Sequence, residues 1–126
     1  MKIELKTVIL ECSDISRLLS FYGQLLGWPV VFEQEGFVRI QSKQNGMGIA
    51  FQFDADYTPP VWPSRAGCQQ MMAHLDFAVA DRSALKEATD KAIGLGAKVA
   101  GEQYGGDDWI TMLDPDGHPF CFVIWD

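Results

Sequence analysis

The sequence predicts an α+β fold built from two βαβββ modules, and three observations support that prediction. An apolar strand candidate, a capped helix and three short strands follow one another, and the same order then occurs again. The spacing also repeats, since Asp14 lies seven residues after Thr7 and Asp81 lies seven after His74. Likewise Gln52 lies four residues after Gly48 and Cys121 lies four after Gly117, which makes Gln52 the predicted counterpart of Cys121. A proline-rich segment separates the two copies. We therefore expect a single domain, with module 1 at about 1–53, a loop over 54–72 and module 2 at about 73–126.

Module 1 begins with a strand over residues 2–11, in which apolar side chains alternate between the two faces. Ser13 or Asp14 then caps a helix whose apolar residues recur at helical spacing. Gly27 ends this helix, because glycine accepts the left-handed conformation at a helix C-terminus. The remaining strands of the module are predicted at 28–33, 37–41 and 48–53.

Module 2 repeats this order from a strand over 75–79. Asp81 is predicted to cap its helix and Gly96 to end it. The turn Asp114-Pro115-Asp116-Gly117 stops one strand and starts another, because proline fixes φ and glycine accepts a positive φ. We interpret its two carboxylates as turn formers. The strands after the helix are predicted at 97–103, 109–113 and 119–125.

The charge balance excludes several classes of partner. The net charge is −7, from 17 acidic against 10 basic residues, and the basic residues form no cluster. Nucleic acids and anionic membrane surfaces are bound through basic patches, so we expect neither partner. No stretch approaches the roughly 20 apolar residues of a membrane span, and none resembles a signal peptide. Three widely spaced cysteines fit free thiols in a reducing compartment, so we expect a cytoplasmic protein.

Strand alternation predicts which side chains face away from the helices. Thr7, Gln52, His74 and Cys121 all fall on that face, and they would surround one cleft if the two sheets curl around it. An apolar cleft with a few polar groups is the usual site for a small ligand. The candidate ligand-binding residues, which also include one strand arginine and three aromatic residues, are Thr7, Arg39, Gln52, Tyr57, Trp62, His74, Trp109 and Cys121.

Each of these candidates also has a purely structural interpretation. Arg39 could pair with a ligand carboxylate or phosphate, or it could be a solvated strand residue. The aromatic side chains could stack on a planar ligand or simply pack in the core. His74 could be a metal ligand, a proton-transfer group, a hydrogen-bonding residue of the pocket or a structural histidine. We interpret Cys121 as a small apolar filler rather than a nucleophile, because nothing near it in sequence would lower the pKa of its thiol.

The motifs together resemble the vicinal oxygen chelate superfamily, which includes glyoxalase I, bleomycin-resistance proteins and extradiol dioxygenases. The resemblance covers essentially the whole chain, and the loop that contains Trp62 is similar to that of a glyoxalase-like subgroup with no assigned reaction. It implies a curved, partly open mixed β-barrel around a cleft, with helices outside, and a homodimer. The segments that carry it are 14–28, 74–81, 94–99 and 113–117.

The resemblance also implies where a metal ion would bind. Metal enzymes of the family usually place His, Glu or Gln at the four cleft positions. Here His74 is a usual ligand and Gln52 is acceptable, but Thr7 replaces His and Cys121 replaces Glu. With no carboxylate in the set to offset the charge of a divalent ion, we expect no metal cofactor. If an ion does bind, Gln52, His74 and Cys121 are the residues expected to hold it.

Three functions remain open at this point. The first is metal-independent binding, including sequestration of the bleomycin-resistance kind, of a small aromatic or apolar molecule. The second is a metal-dependent lyase or dioxygenase with an incomplete ligand set, in which His74 would be the catalytic group. The third is a scaffold whose cleft is filled by its own side chains. We do not expect metal-dependent glyoxalase I activity.

Overall fold

Two units with the same order of strands make up the chain. In the computed structural model, which describes residues 1–125, the first unit covers 1–57 and the second begins at Thr58. The predicted α+β class and the two βαβββ modules are confirmed. The elements are β1 (Thr7–Cys12), α1 (Ile15–Leu26), β2 (Val30–Gln34), β3 (Phe37–Gln41), β4 (Gly48–Phe53), β5 (Leu75–Val79), α2 (Arg82–Gly94), β6 (Lys98–Val99), β7 (Trp109–Leu113) and β8 (Pro119–Ile124).

Each unit contains one open, four-stranded mixed sheet. The strand orders are β1-β4-β3-β2 and β5-β8-β7-β6, so the first and last strands of each module are neighbours. Those two strands pair in parallel, whereas the other pairs are antiparallel. A parallel pair needs a long crossover connection, and the helix with its two following strands provides it. Neither helix in the described part of the chain is long and apolar enough to span a lipid bilayer.

Both helices begin at an aspartate cap, which for α1 is one of the two residues predicted and for α2 is the predicted residue. The Asp14 carboxylate accepts a hydrogen bond from the Arg17 N–H at 3.2 Å, so Asp14 rather than Ser13 is the cap. The Asp81 carboxylate accepts one from the Ala84 N–H at 2.8 Å. Gly27 ends α1 in the left-handed conformation. The predicted end of α2 is wrong by one residue, because the C-cap is Leu95, and Gly96 follows it with φ of 114°.

Two predicted strands are shorter by several residues. β1 starts at Thr7 instead of residue 2, and the exposed side chains of Lys2, Glu4 and Lys6 form ion pairs with one another. The Lys6 carbonyl, just before β1, still accepts a hydrogen bond from the Gly48 N–H at 2.8 Å. β6 contains two residues instead of the predicted 97–103. Beyond β6 the side chain of Gln103 forms hydrogen bonds with the backbone of β7. Gln103 Nε2 donates to the Thr111 carbonyl at 2.8 Å, and Gln103 Oε1 accepts from the Thr111 N–H at 2.9 Å.

Aromatic residues form much of both cores. In the first unit Tyr22 of α1 stacks on Phe51 of β4, with ring centroids 5.8 Å apart. In the second, Phe120 of β8 contacts Phe77 of β5 and Phe122, at centroid distances of 5.9 Å and 5.4 Å. The four phenylalanines lie on the strand faces that were predicted to pack against the helices. Their opposite faces are therefore available for other chemistry.

The turn before β8 has the structural role predicted for it. Asp114 Oδ1 accepts hydrogen bonds from the backbone N–H groups of Asp116 and His118, at 2.9 Å and 3.0 Å. Gly117 has φ of 90°, which a residue with a side chain rarely adopts. Both carboxylates are buried. The turn fixes the entry of the chain into β8 and does not present a pair of free acids.

A strand arginine ties the edge of the first sheet together. Arg39 Nε donates to Thr7 Oγ1 at 2.7 Å, and Nη2 donates to the Lys6 carbonyl at 3.0 Å. Its Nη1 donates to the Gln41 side chain. The guanidinium lies over Gly48, where an added Cβ would collide with it. Glycine at this position therefore leaves the space that the arginine uses.

Gly48→Ala should destabilise the protein through Arg39. The new methyl group displaces the guanidinium from part-buried hydrogen bonds, at a cost of about 1–3 kcal/mol in the free energy of unfolding. Urea denaturation measures this cost. A double-mutant cycle tests the cause. In an Arg39→Met background, Gly48→Ala should lower the free energy of unfolding by much less. An equal cost in both backgrounds would contradict the assignment.

Candidate functional site

The second unit contains a pocket of about 590 Å³ that we call the aromatic pocket. It lies on the face of the second sheet that is turned away from the phenylalanine core. Aromatic and aliphatic side chains line most of it, and a few polar groups are grouped together. Its residues are Trp62, His74, Asp76, Tyr104, Asp108, Trp109, Cys121, Val123, Ile124 and Trp125.

Strand register places a cysteine at the centre of the pocket floor. Cys121 of β8 lies opposite Asp76 of β5 on one side and opposite Thr111 of β7 on the other. Val123, two residues further along the same face, lies opposite Trp109. Because alternate residues share a face, these side chains form one continuous surface. The floor is thus built by three adjacent strands of the sheet, β5, β8 and β7.

The polar part of the pocket contains the imidazole of His74, the carboxylate of Asp76 and the thiol of Cys121. His74 Nε2 lies 3.3 Å from Asp76 Oδ1, and both side chains are about one-third exposed, at 34% and 38%. Cys121 completes a group whose potential metal-ligand atoms all lie within 4.8 Å of one another. The expectation that no carboxylate accompanies His74 is therefore wrong. Asp76 follows His74 by two residues, so strand alternation puts it on the same face.

The Cys121 thiol is held in its neutral form. Burial raises the pKa of this thiol above the ordinary value of 9.0, and the charge of Asp76 raises the pKa further. A hydrogen bond with the Thr111 hydroxyl, at 3.4 Å between Oγ1 and Sγ, acts in the opposite direction but does not reverse the shift. A thiolate is the reactive form of cysteine. The environment therefore disfavours a nucleophilic role for Cys121.

The aromatic walls are fixed by contacts within the second unit. Trp62 Nε1 donates to the Glu102 carbonyl at 3.2 Å, which anchors the long loop before β5. The Trp62 ring lies edge-on to His74 and to Tyr104, with centroids 5.9 Å and 6.1 Å away. Trp109 packs so closely on Gly105 that a Cβ there would overlap its ring. These rings are therefore positioned before any ligand arrives.

Four of the candidate residues predicted from the sequence come together in this pocket: Trp62, His74, Trp109 and Cys121. The sequence reasoning missed several others. Strand alternation could have identified Asp76, as described above. Alternation along β8 also puts Val123 on the face of Cys121, and Ile124 follows it at the end of the strand. The other missed residues lie in loops or just beyond β8, where no periodicity marks them, and they are Tyr104, Asp108 and Trp125.

The other candidates belong to the first unit. Thr7 and Gln52 share a face, but Thr7 lies opposite Gly48 and Gln52 lies opposite Glu11. Four residues of strand, about 13 Å, separate them. Thr7 is bonded to Arg39, Gln52 is exposed, and Tyr57 is half-buried at the end of the unit. Their roles in ligand binding stay predictions.

The structure also corrects the predicted equivalence between the two modules. Counting from Gly48 and Gly117 made Gln52 the counterpart of Cys121. However, β4 and β8 each contain six residues, and Gly117 lies in the turn before β8 rather than at its start. The position in β4 that matches Cys121 is therefore Ala50, third in its strand. The residue that matches Gln52 is Val123.

A family model described as "Glyoxalase-like domain" matches residues 7–123. No curated protein matches the sequence. A glyoxalase/bleomycin resistance protein/dioxygenase family enzyme from Burkholderia phytofirmans PsJN superposes with a TM-score of 0.69 at 20% identity, over 95% of this chain and 97% of the other. The fosfomycin resistance protein FosX from Mesorhizobium loti has a TM-score of 0.73 at 14% identity, over 100% of this chain and 94% of the other.

A structure of FosX from Listeria monocytogenes, a mutant in complex with Mn(II) and 1S,2S-dihydroxypropylphosphonic acid, has a TM-score of 0.70 at 15% identity. The similarity covers 100% of this chain and 93% of that protein. At these identities the structural likeness establishes the fold alone. It agrees with the superfamily that the sequence motifs resemble.

The raised pKa of Cys121 should make its contribution to stability depend on pH. Above about pH 9 the thiol ionises in the unfolded chain but keeps its proton in the folded protein, so stability falls as pH rises towards the folded pKa. The difference in unfolding free energy between the unmodified protein and Cys121→Ala should therefore shrink from pH 7 to pH 10. Urea denaturation across this range measures it. The same comparison with Val123→Ala should not change with pH, and a constant or growing difference for Cys121 would refute the prediction.

Proposed function

Because the chain belongs to the family of glyoxalase-like domains, we propose that it uses the fold to bind a small aromatic or apolar molecule in the aromatic pocket without a metal ion. The observation that carries the proposal is the composition of this pocket. Trp62, Trp109 and Tyr104 form walls around a floor that contains a neutral thiol. His74 and Asp76 form a close polar pair on the floor.

The size and lining of the pocket suit this function. Its volume of about 590 Å³ lies within the range of small-molecule sites, which are mostly apolar and orient their ligands through a few polar groups. Stacking on an indole adds to the free energy gained by burying an aromatic ligand. His74 and Asp76 would supply the orienting hydrogen bonds. Sequestration of the bound molecule is one form that this function takes.

The homodimer expected from the family resemblance is part of the same proposal. Binding of this kind needs no second subunit to supply the residues named here, since all of them lie in the second unit of one chain. A dimer would therefore present one aromatic pocket per subunit.

Trp62→Leu should weaken ligand binding about tenfold or more, because it removes one wall of the pocket. A thermal-shift screen of aromatic acids, aromatic amines and neutral aromatic compounds identifies the ligand, since a compound that binds only the folded state raises Tm. The matched control is Trp28→Leu, at a half-buried tryptophan in the first unit. An equal loss of ligand affinity in both variants would count against the proposal. A screen without any stabilising compound would also count against it and would favour a scaffold.

A metal-dependent lyase or dioxygenase is the second candidate, and one observation favours it. His74, Asp76 and Cys121 offer a nitrogen, an oxygen and a sulfur atom within 4.8 Å of one another. Three such ligands suit a zinc-like ion with an open fourth position, at which such an ion polarises a bound oxygen. Cys121 would have to release its proton to bind, against the shift of its pKa. A neighbour with this fold, the Listeria FosX protein, was solved with Mn(II).

Metal analysis separates the two candidates. Protein purified without chelators should contain no stoichiometric transition metal, and titration with Co(II) should produce no thiolate-to-cobalt absorption band. Stoichiometric metal that is lost in His74→Ala, but kept in a Cys68→Ala control outside the pocket, would replace the first function with the second.

A further inference from the structure

We propose that the ligand of the aromatic pocket is an organic cation, such as a substituted ammonium ion with an apolar body. This inference rests on the proposed function, because it concerns the same pocket, and it specifies the charge of the ligand. It is carried by the charges and rings of the lining residues rather than by the overall charge of the chain.

Acidic groups are the only permanent charges among the lining residues. Asp76 contributes a carboxylate at the floor and Asp108 contributes another at the end of the loop before β7. The lining includes no lysine or arginine. His74 is the one group there that can become positive, and its Nε2 already faces Asp76. An anionic ligand would therefore meet two carboxylates and no fixed positive charge.

The aromatic rings act in the same direction as the carboxylates. Trp62, Trp109 and Trp125 line the pocket together with Tyr104, and indole is the side chain that attracts a cation most strongly through its ring face. Attraction of this kind is strongest when the cation is desolvated. A pocket with apolar walls provides that environment. The combination of four electron-rich rings and two carboxylates is selective for positive charge.

The size of the pocket favours an organic cation over a bare ion. A space of about 590 Å³ accommodates a molecule with many heavy atoms, and most of its walls have no polar atoms to coordinate a metal ion or a hydrated ammonium. A substituted ammonium ion is weakly hydrated and carries apolar groups that gain free energy on burial. The chemistry of the walls therefore matches both parts of such a ligand.

The test compares two compounds of the same shape. In 3-hydroxyphenyltrimethylammonium a quaternary nitrogen replaces the quaternary carbon of 3-tert-butylphenol, so the pair differs in charge and hardly in volume. Isothermal titration calorimetry at low salt should give about tenfold or more tighter binding for the cation. The ratio of the affinities for the cation and the phenol should become smaller at about 0.5 M salt, because ions screen the carboxylates. The anion 3-hydroxybenzenesulfonate should bind more weakly than either.

Charge-neutral variants locate the effect in the pocket. Asp76→Asn and Asp108→Asn should each weaken binding of the cation several-fold more than they weaken binding of the phenol. Asp90→Asn is the matched control, since it changes the net charge equally on the exposed side of α2, outside the aromatic pocket. Trp62→Leu should weaken binding of both compounds.

The outcomes distinguish this inference from the proposed function. If the phenol binds as tightly as the cation, or the sulfonate binds best, the function stands and the inference is overturned. If none of the three compounds binds and the wider screen finds no ligand, both fail. If the preference for the cation persists unchanged when both aspartates are replaced, the cation binds elsewhere and the inference is overturned.

Discussion

Parallel pairing between the first and last strands of each module is the constraint on which the rest of the structure depends. β5 and β8 are separated by a helix and two strands in sequence, yet they lie side by side. Their register decides which side chains meet, and it brings Asp76 next to Cys121. The aromatic loop segments are then attached around this fixed floor. The same pairing in the first unit brings Thr7 next to Gly48, where Arg39 closes the space.

Features that depend on neighbouring residues were predicted well from the sequence. Both aspartate caps and the bounds of β3, β4 and β7 follow from local periodicity and turn residues. The errors occur where a distant group competes with the local pattern. β6 is short because the Gln103 side chain, and not a backbone carbonyl, accepts the hydrogen bond from the Thr111 N–H, and nothing in the segment 97–103 itself reveals this.

The site was predicted only in part, for a related reason. His74 and Trp62 were identified from alternation and from the aromatic loop, and both line the pocket. The match between Gln52 and Cys121 failed because it was counted from glycines, whereas the equivalence is set by hydrogen-bonded pairing between strands. Pairing is a non-local property, and an error of two residues leaves the hydrophobic pattern unchanged. The overlooked Asp76 shows the opposite case, in which the local pattern was sufficient.

The two modules give one ladder position two different electrostatic environments. Ala50 lies opposite Arg39 in the first sheet, whereas its counterpart Cys121 lies between Thr111 and Asp76 in the second. The neighbour of one copy thus carries a guanidinium, and a neighbour of the other carries a carboxylate. The internal repeat of the backbone consequently does not produce a repeated recognition surface. A small molecule that occupies the second copy has no equivalent place in the first, so the expected stoichiometry is one molecule per polypeptide.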